Sequence, residues 1–116
     1  MTSGAETVDI REGDAPGVYV VAPRGDIDMS CSPQFRDAIK GVQDKRPERI
    51  VVDLAGVRYM DSSGLATLVE AMKNAKASST RLVLCAMNEK VLAIFEIARL
   101  HQYFVISPSL AEAYEA

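Results

Sequence analysis

Two cysteines, one histidine and no apolar run near the roughly 20 residues of a spanning helix set the first bounds on this chain. Cys31 and Cys85 lie far apart in no metal-ligand spacing, so neither a metal site nor a disulfide framework is expected, and reduced cytosolic thiols are the default. The lone His101 follows an apolar helix with no orienting partner in the sequence, which leaves a serine nucleophile without its usual base. Neither Gly-x-x-x-x-Gly-Lys nor Gly-x-Gly-x-x-Gly occurs, so no nucleotide cradle and no cofactor is expected. The polar start MTSGAETVD has no signal-peptide core. Acidic residues outnumber basic ones 16 to 13, and the net charge of −3 argues against nucleic acid or an anionic membrane as a direct partner. These absences leave a small, acidic, soluble domain in the cytoplasm.

The composition supports a packed core: hydrophobic residues make up 48% and charged ones 25% of 116 positions, the balance of one globular domain over residues 1–116. Residues 1–5 read as a frayed terminus. Thr7–Arg11 alternates around Val8 and Ile10, and Val18–Pro23 alternates again after the turn-rich Glu12–Gly17, which predicts an antiparallel hairpin. Ser32 as a cap and Pro33 in the first helical position open a helix whose stripe is Phe35, Ala38, Ile39 and Val42. Lys45 and Arg46 suit its negative pole, and Pro47 stops it. Arg49–Leu54 is a nearly continuous apolar run, as in a parallel strand covered on both faces.

From Gly64 the period becomes helical, with Leu65, Leu68, Val69 and Met72 on one face of a helix that runs out near Ala77–Thr80. Arg81–Ala86 is a second buried strand, Val91, Ile94, Phe95 and Ala98 mark a third helix, and Tyr103–Ile106 is a last short strand. Ser107–Pro108 repeats the cap-then-proline signal before a terminal helix through Leu110, Ala111 and Tyr114. The order β-β-α-β-α-β-α-β-α predicts an α/β fold: a mainly parallel sheet with an N-terminal antiparallel hairpin and helices packed on it.

One segment joins the strand Arg49–Leu54 to the next helix: Val57-Arg58-Tyr59-Met60-Asp61-Ser62-Ser63-Gly64-Leu65. Loops at the carboxyl ends of such strands carry function in open α/β sheets. Asp61 or Ser62 can cap the helix, placing two hydroxyls beside its positive pole; taken alone, the run is also simply a good cap. Phosphate on a hydroxyl adds about −1.5 to −2 charges. A helix start accommodates an anion with a gain of about 0.3–1 kcal/mol, so the fold survives. A partner docked there meets a desolvated dianion, and Asp61, with Asp26 and Asp28 nearby, offers it no cation. Met60 in place of glycine breaks the Gly-x-Ser-x-Gly elbow of a hydrolase. Met60, Met72 and Met87 suit core gap-filling, with Met60 partly exposed at a partner surface. Cys85 reads as a core residue, and Cys31 as chiefly structural.

With these residues in view the chain resembles the STAS domain family, and within it the stand-alone anti-sigma-factor antagonists of bacterial partner-switching systems. Tyr59-Met60-Asp61-Ser62-Ser63-Gly64-Leu65 after Arg49–Leu54 is similar to the family's third strand and phosphorylation loop, and Gly25-Asp26-Ile27-Asp28 to its turn after the second strand. Leu82-Val83-Leu84-Cys85 and the Val91–Leu100 helix fit the next strand and helix. The resemblance implies a protein, not an enzyme, whose unmodified form binds an anti-sigma factor and so frees a sigma factor. That partner is also a serine kinase; phosphorylation ends the binding and a phosphatase restores it. It implies Ser62 as acceptor, with Ser63 the secondary candidate, and Asp26, Asp28, Met60, Asp61, Ser63, Gly64 and Leu65 as the partner-binding set. Other members are non-switching scaffold subunits of lipid-transport or stress-signalling complexes. The chain departs from the family pattern at Ser78-Ser79-Thr80, where glycine is usual.

Overall fold

The computed structural model describes residues 8–116; the expected strand start at Thr7 and the frayed terminus over residues 1–5 lie outside the described residues. Val8–Glu12 (β1) and Val18–Pro23 (β2) form the predicted hairpin, in antiparallel register with Ile10 opposite Val21. Arg49–Asp53 (β4), Arg81–Cys85 (β6) and Val105–Ser107 (β7) add in parallel, giving a five-stranded sheet in the order β1-β2-β4-β6-β7. Val20, Val51, Val83 and Val105 lie in one row across it.

Two strands were not expected as strands. Gly25–Ile27 (β3) and Val57–Met60 (β5) pair in parallel as a separate two-stranded ribbon. Both were read as turn or loop, because three or four residues interrupted by exposed Asp26, Arg58 and Tyr59 are too short to show a period of two.

Both faces of the main sheet are covered, which is why its central strands are apolar on both sides. Val21, Ile50, Val52, Leu82 and Leu84 pack on one face against Phe35, Ile39 and Val42 of Ser32–Gln43 (α1), Leu68 and Met72 of Ser62–Ala77 (α2), and Val91 and Phe95 of Glu89–Ile97 (α3). Val18, Val20, Val51, Val83 and Cys85 form the other face, closed by Ala113 and Leu110 of Leu110–Ala113 (α4). Burial, with Asp53 adding a smaller repulsive contribution, pushes the Cys85 thiol up to about 12, as suits a core residue.

Several helix ends differ from the sequence reading. Cys31, not Ser32, is the N-cap of α1, and no side chain caps it. Ser32 is buried as the first helical residue, and its N–H donates to the Asp28 carbonyl at 2.8 Å. The terminal helix starts from Ser109, whose Oγ accepts from Glu112 N–H at 3.2 Å, while Ser107 is buried in β7. The first helix stops at Gln43, so Lys45 and Arg46 lie beyond it; Arg46 turns the chain with φ 54°. Ala98 is the exposed C-cap of α3 and not part of its buried stripe. Ser79 has φ 60°, a left-handed conformation that glycine adopts with less strain. Among the described residues no helix is long and apolar enough to cross a membrane.

Candidate functional site

The ribbon aims the loop. After β4 the chain turns at Ala55–Gly56, where Ala55 N–H donates to the Asp53 carboxylate at 3.1 Å and Val57 N–H to the Leu54 carbonyl at 3.0 Å. Gly25 then pairs with Val57, Asp26 with Tyr59 and Ile27 with Met60, and Asp61 N–H donates to the Ile27 carbonyl at 3.0 Å. These bonds bring Gly25–Asp28 beside Val57–Asp61, segments about 30 residues apart in the sequence.

Asp61 is the N-cap of α2, in extended conformation. Its Oδ1 accepts from Ser63 N–H at 2.8 Å, Gly64 N–H at 3.4 Å and Ser63 Oγ at 2.6 Å. The two serines therefore differ. Ser63 is half-buried with its hydroxyl committed to Asp61, whereas Ser62 is exposed and its Oγ makes no hydrogen bond among the described residues. Removing the cap should be felt in stability. Asp61→Ala is expected to lower it by about 0.5–2 kcal/mol in urea denaturation; an unchanged midpoint would show that α2 holds its start without the carboxylate.

Beneath the loop, Met60 has 0% of its surface exposed, which corrects the expectation that it is partly exposed. It lies under buried Gly64: a Cβ there would fall 2.4 Å from Met60 Cγ and 2.9 Å from Ile27 Cγ2. Met60 and Gly64 thus shape the loop from below. Leu65 is half-buried and lines a shallow groove with Tyr59, Ser62, Ile94 and Ile97. Ile97 is 83% exposed and Tyr59 49%, and Met29, in the turn before α1, is 77% exposed. None of the three belongs to the partner-binding set that the resemblance implies, although Tyr59 lies in the quoted loop motif. The signal for Ile97 was available, since it is an isoleucine out of phase with the Val91/Phe95 stripe.

Asp26 and Asp28 are exposed on the neighbouring strand end. Asp28 Oδ1 accepts from Ser30 Oγ at 2.6 Å and Ser30 N–H at 2.9 Å, and these bonds, the side-chain one foremost, hold its carboxyl below the ordinary aspartate value. The expected absence of a cation is corrected as well: Arg58 Nε lies 3.4 Å from Asp26 Oδ1.

The sequence pattern of the STAS domain family matches residues 11–113, nearly the whole described chain. The chain belongs to the STAS domain family. An anti-sigma-B factor antagonist of Listeria monocytogenes is 31% identical over 94 residues, covering 81% of this chain and 82% of that protein. The crystal structure of an anti-sigma factor antagonist from Mycobacterium paratuberculosis superposes with a TM-score of 0.85 at 27% identity, covering 94% of this STAS chain and 91% of that one. The Bacillus cell fate determinant SpoIIAA in its phosphorylated form shares the fold, with a TM-score of 0.72 at 19% identity over 93% of this chain and 96% of that one.

Proposed function

We propose that this STAS protein is a cytoplasmic anti-sigma factor antagonist controlled by phosphate on Ser62. Its unmodified form binds an anti-sigma factor with serine kinase activity, and binding releases a sigma factor. The kinase transfers the ATP γ-phosphoryl group to Ser62 Oγ, binding is lost, and a protein phosphatase hydrolyses the ester to restore the hydroxyl. The protein is substrate and ligand in this cycle, not catalyst. One observation carries the reading: at the positive pole of α2, Ser62 is exposed with its Oγ unbonded among the described residues, while the adjacent Ser63 hydroxyl is held by Asp61. The naming of the Listeria relative supports the partner class.

The docking face takes in Asp26, Asp28, Asp61, Ser63 and Leu65 from the sequence reading, and the exposed apolar Tyr59 and Ile97. Met60 and Gly64 contribute from beneath. Incubation with ATP and an anti-sigma serine kinase is expected to add the mass of one phosphate to the wild type and to Ser63→Ala, and none to Ser62→Ala. Phosphate retained in Ser62→Ala would move the acceptor elsewhere. Failure of the wild type to take any, despite stable binding to the kinase, would favour a constitutive scaffold.

A further inference from the structure

The pairing of β3 with β5 has an irregularity: Gly25 faces Val57 and Asp26 faces Tyr59, so Arg58 is an extra residue with no ladder partner across the ribbon. A bulge of this kind re-aims the residues that follow and leaves part of the ladder open. Here the open part is filled from another element. Asn88 Nδ2 donates to the Val57 carbonyl at 3.1 Å and the Arg58 carbonyl at 3.3 Å. The same side chain accepts at Oδ1 from Val91 N–H at 2.8 Å, making Asn88 the N-cap of α3. One amide therefore uses its acceptor on a helix start and its donors on the strand that leads into Ser62.

We infer that Asn88 is a positioning residue that locks the bulged acceptor strand to α3, so that the Ser62 loop and the exposed Ile97 side of α3 present one docking face. The inference rests on the proposed function for its purpose, though not for its geometry. The groove containing Tyr59, Ser62 and Leu65 is walled on its other side by Ile94 and Ile97, and the Asn88 bonds add a directional tether to the packing of Val91 and Phe95 with Val57 and Met60 in the core. The bulge also sets the alternation beyond it, with Tyr59 outward and Met60 buried, and that alternation places Asp61 over the start of α2. Loss of the tether should loosen this region and leave the main sheet intact.

Asn88→Asp and Asn88→Ser separate the two uses, because Asp and Ser cap helices about as well as Asn while neither carries the amide donors. Hydrogen exchange followed by NMR is expected to show the Asp61 and Gly64 amides exchanging at least about tenfold faster in both variants, with the Val51 and Val83 amides unchanged. Affinity for a serine kinase that modifies the wild type should fall by a similar factor with little change in thermal midpoint. In the wild type itself, the Asn88 side-chain amide protons should exchange more slowly than those of Asn74, which is exposed as Asn88 is but has no side-chain hydrogen bond among the described residues. Exchange of the Asn88 amide at the solvent rate, or unchanged Asp61 and Gly64 exchange in both variants, would overturn the inference. The exchange measurements need no partner. Absence of Ser62 phosphorylation would therefore count against the proposed function alone.

Discussion

Ser62→Asp is expected to keep its fold, with a thermal midpoint at or slightly above that of the wild type, while losing at least about a hundredfold in affinity for the anti-sigma partner. The two halves of this result have different physical origins. Ser62 is exposed and is the first residue of a 16-residue helix, so a carboxylate there replaces no packing and gains from the unpaired N–H groups of the first turn. That gain is about 0.3–1 kcal/mol. On the proposed docking face, a bound partner would remove the same carboxylate from water among Tyr59, Leu65 and Ile97 and beside Asp61. A charged group left unsatisfied in an interface costs about 3 kcal/mol, which corresponds to roughly a hundredfold in affinity. Phosphate, with nearly twice the charge, should weaken binding further. Calorimetric titration of the kinase, with circular dichroism of the free variant, tests both halves. A variant that unfolds, or one that binds like the wild type, contradicts the account.

A larger effect on stability is expected two residues further on. Gly64→Ala should lower stability by about 1–3 kcal/mol, because its methyl group would overlap Met60 and Ile27. Neither neighbour can yield easily: the Met60 atom concerned is Cγ, close to the backbone, and Ile27 is branched and 2% exposed. Gly41 in the last turn of α1 is the natural control. Nothing lies within 4 Å of a Cβ built there, so Gly41→Ala should stabilise by about 0.4–1 kcal/mol. Urea denaturation of both variants checks the contrast. Equal shifts would mean that close approach is not what requires glycine at 64. Because α2 begins over Met60, the Gly64→Ala strain should also displace the acceptor and slow its phosphorylation.

The main sheet was legible because its strands are long enough to declare themselves. Arg49–Asp53 and Arg81–Cys85 are apolar on both faces, and only a parallel sheet with helices on either side accounts for two such runs separated by a helical period. The Asp61 cap was legible for a local reason: the side chain reaches N–H groups two and three residues ahead. What escaped the reading depends on residues distant in sequence. The β3–β5 ribbon forms only when residues near 26 meet residues near 59. Met60 was legible as a core residue, but its complete burial depends on Gly64 and Ile27 closing over it, which the local sequence does not show. The cap-then-proline signals at Ser32 and Ser107 misplaced the helix starts because both serines were claimed by other structure, one by the turn at Asp28 and one by β7. Asn88 gave no signal, since its cap is local but its tether spans about 30 residues.

The ribbon β3–β5 shares no ladder with the five-stranded sheet among the described residues. Strands inside a continuous sheet inherit their register from every neighbour, so a change in one propagates to the others. This ribbon stands apart, and its outward residues Asp26, Arg58 and Tyr59 can be exchanged without altering the alignment of the valine row. A surface carried on so short and separate a ribbon can change its side chains while the five-stranded scaffold beneath keeps its alignment.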